Sequence, residues 1–350
     1  MLVGAGKVGQ EFLGALTESH IPVMAFTDNN PARWRQTVAE VPVLPPEDAV
    51  RQFGRQAVFL ITIGRVGTGA ADICRQFSEL GVEAVLHFSD AIRFIPRIWP
   101  QFFVSPDAFV ESDAERMLKA YGLFHDVQSK HHFITHLQWR TTLDPAGLAT
   151  PDYDHQYFPA DVISPRHCAV FVDIGAYTGD TLLDLTAFAG SSLREYYGFE
   201  PDPANYARLV SQAETTTRAR LDVHVATRMT AIGAIEGVIS FAGSGSATSQ
   251  VQAEGSVRVP CTTLDAVGVS RPTYLKIDVE GGEHDVLRGG TETLRMWQPT
   301  VAVATYHRPK DLFDLPLWLA DNAPDYRFHL RSHGDAGIDL VCYAVREPFE

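Results

Sequence analysis

The sequence predicts an α/β fold made of two doubly wound Rossmann-type domains joined by a helical connector. Apolar strand-like runs alternate with helical patterns in residues 1–95 and again in residues 161–350, at the spacing of parallel βαβ units. A glycine turn follows the first strand of each half, at Gly4 and at Gly175. Between the halves, residues 96–160 lack strand patterns and are rich in aromatic residues and histidines, which favours a helical connector.

The composition limits the kinds of partner. The 350 residues are 45% hydrophobic, enough for two packed domains, and 43 acids against 29 bases give a formal charge of −14. This charge argues against a nucleic acid or an anionic membrane as partner. No apolar run approaches the about 18 residues of a membrane span, and the four scattered cysteines lack metal-ligand spacing. We expect a soluble, cytoplasmic protein with reduced thiols that acts on a small molecule, and a homo-oligomer is compatible with this composition.

In the first half, MLVGAGKVG (1–9) is typical of a strand end, a glycine turn and the start of a helix that continues to about Ser19. The segment VPVLPPEDAV (41–50) contains two adjacent prolines, so it predicts a loop and a helix start. A loop at 64–69 precedes a helix that ends near Leu80. Further strands are expected at 21–28, 57–64 and 82–88.

The glycine turn of the first half has the pattern of a dinucleotide fingerprint. Gly4, Gly6 and Gly9 form a G-x-G-x-x-G, and Asp28 ends the next expected strand, where an acid can bind a ribose. The segment is also similar to nucleotide-binding domains that precede sugar-modifying enzymes. Three interpretations remain: a site for NAD(P), a site for a nucleotide-linked sugar, or a scaffold without ligand. The sequence offers no dehydrogenase catalytic set, so the scaffold and sugar-nucleotide interpretations are favoured over redox chemistry.

In the second half, three expected strands end in an acidic residue at a loop. FVDIGAYTGDT (171–181) contains Asp173, YGFEPDP (197–203) contains Glu200, and YLKIDVEGGE (274–283) contains Asp278. The carboxyl ends of parallel strands line one crevice, which is where such folds bind ligands. The three strands are expected at 169–174, 195–199 and 273–279, and further strands at 221–226, 300–306, 326–331 and 339–345, the last two as an antiparallel pair.

These residue types suit an adenosyl cofactor. Glycine after the first strand lets backbone N–H groups approach a carboxylate at a helix N-terminus. Glu200 can accept hydrogen bonds from both ribose hydroxyls. Asp173 beside an ammonium and Tyr177 beside a sulfonium would suit a cation such as S-adenosylmethionine. The alternative is a tight strand-to-helix turn without ligand.

FVDIGAYTGDT, GFEPDP and LKIDVEGGEHDVLRGG (275–290) together resemble, in order and spacing, the FkbM family of S-adenosylmethionine-dependent methyltransferases. The segments QYFPADVI (156–163), TYHRPKDLFDLPLWL (305–319) and YRFHLRSHGDAGIDLVCYAV (326–345) are similar to one branch of it. The resemblance covers about residues 150–350 and implies a class I methyltransferase sheet. It implies cofactor contacts at Asp173, Gly175, Gly179, Asp180, Thr181 and Glu200. Further candidate cofactor contacts are Ala176 and Tyr177 in the same loop and Asp278 at the end of the third strand.

The candidate catalytic residues follow the later strands. Removal of a proton from an alcohol favours a histidine, and His307 follows the strand 300–306, so we predict it as general base or acceptor-orienting residue, with His333 second. The alternative for both is a loop histidine bonded to backbone. Alternation places Lys276, Asp278 and Glu280 on one face if the strand continues to Glu280. Asp278 and Glu280 then orient an acceptor, bind a divalent ion or cap a helix, and Lys276 is a counter-charge or an acceptor contact. No metal is predicted.

These observations favour a methyltransferase that moves the methyl group of S-adenosylmethionine to a hydroxyl of a sugar, a nucleotide-linked sugar or a similar metabolite. One alternative is an NAD(P)-dependent oxidoreductase that uses the first domain. Another is a nucleotide-sensing binding protein with a degenerate second domain, which the intact Asp173, Glu200 and His307 argue against.

Overall fold

A computed structural model describes residues 1–63, 70–96, 98, 104–241 and 257–346. Within these residues the chain forms two compact units. The first comprises 1–109, 134–154 and 332–339, and the second comprises 110–133, 155–331 and 340–346. Both units therefore draw on the predicted connector. The loop predicted at 64–69 lies outside the described residues.

The first unit contains a six-stranded sheet in the order β3-β4-β2-β1-β5-β6. Its pairs are parallel except for β3 and β4, which run antiparallel. The elements are β1 (Leu2–Val3), α1 (Lys7–Glu18), β2 (Phe26–Thr27), β3 (Thr37–Val38), β4 (Val41–Leu44), α2 (Pro46–Phe53), β5 (Val58–Ile61), α3 (Ala70–Glu79), β6 (Ala84–His87) and α4 (Phe88–Ala91).

The loop predicted at the start of 41–50 is wrong, because Val41–Leu44 is strand β4. Pro42 lacks an N–H group, and the neighbouring Val43 donates its own to the carbonyl oxygen of Gln36 at 2.9 Å. A proline is compatible with a strand where it need not donate to the ladder. The helix start predicted in the same segment is confirmed by α2.

The core of the first unit draws on three separate parts of the chain. Phe12, Phe26 and Phe88 pack in one cluster with Trp139 and with Ala336, all of them buried. Residues 134–154 and 332–339 are therefore part of this unit's core and not only loops beside it.

The second unit is built on a seven-stranded sheet in the order β15-β16-β14-β13-β7-β8-β9. The pairs from β14 to β9 are parallel, and β16 runs antiparallel to β14. A small separate sheet has the order β10-β12-β11. The elements are α5 (Ala114–Leu123), α6 (Val127–Thr142, which continues into the first unit), β7 (Val170–Ile174), α7 (Asp180–Ala189), β8 (Glu195–Phe199), α8 (Pro203–Ala219), β9 (His224–Arg228), β10 (Ala231–Ile232), β11 (Gly237–Phe241), β12 (Val257–Thr262), β13 (Tyr274–Ile277), α9 (Glu283–Gly289), α10 (Thr291–Trp297), β14 (Thr300–Ala304), α11 (Asp311–Asn322), β15 (Arg327–Ser332) and β16 (Leu340–Val345).

The strand order of the second unit reverses between β7 and β13, which lie side by side. In an open parallel sheet the crevice at such a reversal is where ligands bind. Local sequence explains the elements around it. The β7 run VFVDI is apolar and largely buried, and α8 begins at a Pro203 whose preceding Asp202 accepts hydrogen bonds from the N–H groups of Ala204 and Asn205 at 2.8 and 3.1 Å. The predicted α/β fold with two Rossmann-type sheets is confirmed.

None of the described helices combines the length and apolar character needed to cross a bilayer. All four cysteines are free thiols, with Cys168 and Cys342 buried and Cys74 and Cys261 half-buried.

Candidate active site

The loop between β7 and α7 is shaped by Gly175. Its φ is +81°, a left-handed value, and a Cβ at this position would lie 1.8 Å from the backbone oxygen of Asp278. Only glycine therefore allows the β7 loop and the β13 loop to approach this closely. The N–H groups of Gly175 and Ala176 both donate to the carbonyl oxygen of Phe199 at 3.0 Å, which fixes the loop to the end of β8. Gly179 directly precedes α7, and Asp180 and Thr181 begin that helix.

A buried ion pair lies beneath this loop. Lys276 Nζ is 3.0 Å from Asp173 Oδ1, and the two side chains are 4% and 0% exposed. Lys276 also donates to the carbonyl oxygen of Gly175, and Tyr196 donates its hydroxyl to Asp173 Oδ2 at 2.8 Å. Burial alone would lower the pKa of Lys276, but the carboxylates of Asp173 and Asp278 raise it above its ordinary value, so the amine stays charged.

Glu200 lies at the end of β8 and is buried. Its Oε2 accepts the N–H of Tyr177 at 2.9 Å, and its Oε1 accepts the N–H of Asp202 at 2.8 Å. Tyr177 has φ +47°, a value uncommon for a residue with a side chain. Burial raises the pKa of Glu200 to about 7. Each carboxylate oxygen has two lone pairs, so each retains capacity to accept a ligand hydroxyl.

Three carboxylates surround the side chain of His307, which follows β14 and is 0% exposed. Its Nδ1 is 2.8 Å from Glu283 Oε1. On the other side of the ring, Nε2 is 3.4 Å from Asp278 Oδ1 and 3.6 Å from Glu280 Oε2. The N–H groups of Val279 and Gly281 donate to the same oxygen of Glu283, which holds this carboxylate in place.

The charge of this cluster determines what His307 can do. Burial alone would lower the pKa of His307, but Glu283, Asp278 and Glu280 outweigh it and raise the pKa to about 10. At neutral pH the ring is therefore an imidazolium with two N–H donors and no lone pair for a proton. Of the two roles predicted for His307, orientation of the acceptor site fits this charge state, whereas a general base requires the neutral ring.

The same side chains have the donor types of a cation site. Asp278, Glu283 and His307 each offer one potential ligand atom, and these atoms lie within 4.8 Å of one another. Oxygen and imidazole donors suit divalent ions. A metal would require a neutral His307, because a protonated ring offers it no lone pair.

The structure brings several of the predicted residues together. Lys276 and Asp278 flank the end of β13, and Asp278 contacts His307. His333 belongs to the first unit, where its Nδ1 is 2.7 Å from the carbonyl oxygen of Asp152, as in the backbone-bonded alternative. Glu280 does not continue the alternation of β13, because that strand ends at Ile277 and Glu280 has φ +55°.

Sequence reasoning missed one aromatic residue of this site. Tyr157 donates its hydroxyl to Asp278 Oδ2 at 2.5 Å, and Lys276 Nζ lies 5.3 Å from the centre of its ring. Tyr343 fixes the Tyr157 backbone by accepting its N–H group at 3.0 Å. The QYFPADVI segment that contains Tyr157 was the available signal, but nothing in its pattern indicates which side chain reaches β13.

In the first unit the glycine fingerprint has the expected local geometry. A Cβ on Gly9 would lie 2.0 Å from the carbonyl oxygen of Gly4, so glycine is required for the helix to approach β1. Asp28 Oδ2 accepts the N–H of Ala5 at 2.9 Å, which joins the end of β2 to the glycine turn. Gly6 begins the turn into α1 and has only Arg33 Nη1 near it, 3.9 Å from where a Cβ would stand.

Comparisons with known proteins agree with a methyltransferase sheet in the second unit. The model of the methyltransferase FkbM domain matches residues 173–335. The fold is similar to the crystal structure of Methyltransferase FkbM from Methylobacillus flagellatus KT, with a TM-score of 0.74 and 19% identity over 98% of this chain and 89% of that chain.

Curated relatives match a shorter stretch. A redox-sensing transcriptional repressor Rex from Brevibacillus brevis is 27% identical over 90 residues, which are 25% of this chain and 44% of the relative. A Rex from Limosilactobacillus reuteri is 26% identical over 98 residues, 27% of this chain and 46% of the relative. The chain thus spans less than half the length of the curated relatives it matches, and these matches give partial support to the Rossmann-like first domain. Residues 173–335 thus match the FkbM methyltransferase domain, and a Rossmann-like domain precedes them.

Proposed function

We propose that this protein transfers the methyl group of S-adenosylmethionine to a hydroxyl of a sugar or a similar small metabolite. The observation that carries the proposal is the crevice at the end of β7. There the glycine loop, the buried Glu200 and the His307 cluster occur on neighbouring strand ends. A methyltransferase requires a cofactor cradle and an acceptor site side by side, because the transfer is an in-line displacement.

The residues present fit the cofactor. Gly175 brings the β7 and β13 loops together at this strand end, and Glu200 beside them offers acceptor lone pairs for the two ribose hydroxyls. The acids around His307 outnumber its single positive charge, which suits a cationic ligand. When bound, S-adenosylmethionine would supply the methyl group from its sulfonium.

Protein groups then handle the acceptor and its proton. As the new bond to the acceptor oxygen forms, the hydroxyl proton must leave, and Asp278 is the carboxylate we assign to receive it. Tyr157 and His307 hold its two oxygens in place from opposite sides. Lys276 keeps Asp173 neutralised beneath the loop, so the backbone of Gly175 stays in position.

Calorimetric titration with S-adenosylhomocysteine tests the cofactor site. Glu200→Ala removes two charge-assisted hydrogen bonds, each worth on the order of 1–3 kcal/mol, so we expect at least tenfold weaker binding. Glu214→Ala is the matched control, because Glu214 is an exposed acid on α8 whose partner is Arg218. Equal affinities of the two variants would contradict the role assigned to Glu200.

A second proposal concerns the first unit, which we propose binds a nucleotide such as NAD(P) or a nucleotide-linked sugar. The close packing at Gly9 and the hydrogen bond from Ala5 to Asp28 support it. Gly6→Val is a clean test, because a Cβ at Gly6 meets nothing closer than 3.9 Å among the described residues but would stand where a pyrophosphate approaches. We expect the parent protein to bind NADH or UDP-glucose and the Gly6→Val variant to lose this binding. Binding of S-adenosylhomocysteine should be the same in both proteins. No binding of either probe to the parent would favour the scaffold interpretation.

A further inference from the structure

A cavity of about 550 Å³ in the second unit is lined by α5, α9, α11 and the residue that follows His307. Four of its lining side chains carry a positive charge, namely Arg116, Lys119, Arg288 and Arg308. Three acids, Asp285, Asp314 and Asp321, line the cavity with them, so the cations are in slight excess there although the chain has a formal charge of −14. Arginine and lysine lining a concave surface are the groups that bind phosphate and carboxylate.

Arg308 differs from the other three cations. Arg116 pairs with Asp314 at 2.7 Å, and Lys119 pairs with Asp321 at 3.2 Å. Arg288 is likewise paired, 3.7 Å from Asp285. Among the described residues, no carboxylate lies within ion-pair distance of the Arg308 guanidinium. Its fork of N–H donors is therefore available to a ligand.

The remaining wall of the cavity suits a ring attached to an anion. Trp318 is half-buried and contributes an aromatic surface on which a sugar or a base can stack. The Nδ1 atom of His284 is buried, and we find no hydrogen-bond partner for it in the described part of the chain.

The cavity adjoins the His307 cluster through two short segments. Arg308 directly follows His307, and His284 directly follows Glu283, the carboxylate that holds the His307 ring. The Arg308 side chain passes over Gly281, where a Cβ would lie 3.3 Å from its Nε atom. A group bound by Arg308 therefore lies beside the loop that carries Asp278 and Glu280.

We propose that this cavity binds a phosphoryl group of the methyl acceptor, with Arg308 as its main contact and Trp318 under the attached ring. The proposal rests on the proposed methyltransferase function and narrows its acceptor to a phosphorylated or diphosphate-linked sugar or metabolite. It also assigns Arg308 a role in acceptor binding that is separate from the cofactor site at Glu200.

The test uses the full-length protein and calorimetric titrations with inorganic pyrophosphate, orthophosphate and, separately, S-adenosylhomocysteine. We compare the parent with Arg308→Gln and with Arg218→Gln, an exposed arginine on α8 that pairs with Glu214. For Arg308→Gln we expect at least a tenfold increase in the Kd of pyrophosphate, with unchanged affinity for S-adenosylhomocysteine. Arg218→Gln should match the parent for all three probes.

The outcomes distinguish failure of the phosphoryl-site inference from failure of the proposed methyltransferase function. Tighter pyrophosphate than orthophosphate binding, lost in Arg308→Gln, supports a diphosphate-linked acceptor, and the reverse order supports a phosphate monoester. If the protein binds no phosphate, or binds it equally in the two variants, the inference is overturned. The proposed function still stands in that case if the protein binds S-adenosylhomocysteine. Phosphate binding without any S-adenosylhomocysteine binding overturns the proposed function and the acceptor role together.

Discussion

The buried pair of Lys276 and Asp173 allows a quantitative prediction. Lys276→Met keeps the length of the side chain and removes its charge, which leaves the Asp173 carboxylate fully buried. The hydroxyl of Tyr196 then remains as its neutral donor, at 2.8 Å. The variant thus isolates the ammonium charge, with little change in packing.

Two costs determine how much unfolding free energy the variant should lose. Removal of one partner from a buried ion pair typically costs about 3–5 kcal/mol of the free energy of unfolding. Asp173 can escape that cost by taking up a proton, and for a carboxyl with an unfolded pKa near 4 this costs about 4 kcal/mol at pH 7. We therefore expect Lys276→Met to lose about 4 kcal/mol at pH 7.

The pH dependence of this loss is the sharper part of the prediction. In the variant the folded state favours protonated Asp173, so its folded pKa lies above the unfolded value. The stability gained from protonation is then present at low pH and is lost as the pH rises towards the folded pKa. The deficit relative to the parent should shrink by about 1.4 kcal/mol for each pH unit below 7, until the pH nears 4.

Urea unfolding of the two proteins at pH 5, 6 and 7 measures this deficit, and Lys276→Met/Asp173→Asn is the matched control. The double variant carries no buried charge here and should recover most of the loss at pH 7. A deficit under about 1 kcal/mol at pH 7, or one independent of pH, would refute the counter-charge role. An intact fold with impaired turnover would instead favour the predicted acceptor contact of Lys276.

Three further outcomes are expected. Affinity for S-adenosylhomocysteine should rise as the pH increases through about 7, because ribose hydroxyls bind the charged form of Glu200, and burial raises the pKa of Glu200 to about 7. Calorimetry in buffers of different ionisation enthalpy should detect the release of a proton on binding. Glu200→Gln should abolish both the pH dependence and the proton release. Gly175→Ala should lower both the melting temperature and this affinity, because its Cβ would lie 1.8 Å from the backbone oxygen of Asp278, and an unchanged melting temperature would contradict the close approach. His307→Gln should reduce kcat at least tenfold with a change in cofactor Kd of less than twofold, since its ring contacts the carboxylates of Asp278, Glu280 and Glu283. A matching loss of both would place it in the cofactor site.

Sequence patterns were sufficient for the sheet of the second unit. Strands such as β8, predicted and found at 195–199, are apolar runs bounded by loop residues, and this pattern depends only on local burial. The small sheet of β10, β11 and β12 was not predicted. Its β10 strand has two residues and β11 and β12 are partly exposed, so hydrophobic periodicity gives little signal there.

The candidate site was only partly predictable for a similar reason. The sequence placed Asp278 and His307 at adjacent strand ends, because parallel strands bring their carboxyl ends to one edge. The charge of His307 was not predictable, since it depends on Glu283, a partner 24 residues away that looks like an ordinary helix-start acid. The position of Tyr157 depends on its hydrogen bond with Tyr343, far along the chain.

The interleaving of the two units has a consequence for the order in which the protein can fold during synthesis. Trp139 and Ala336 belong to the core of the first unit, yet Ala336 leaves the ribosome only after most of the second unit has been made. The unit that is started first is therefore completed only at residue 339, just before the last strand of the second unit is made, and its apolar surface has to wait for nearly the whole chain. A fragment that stops at residue 95 would leave this surface uncovered, so aggregation of the isolated N-terminal segment is the expected fate.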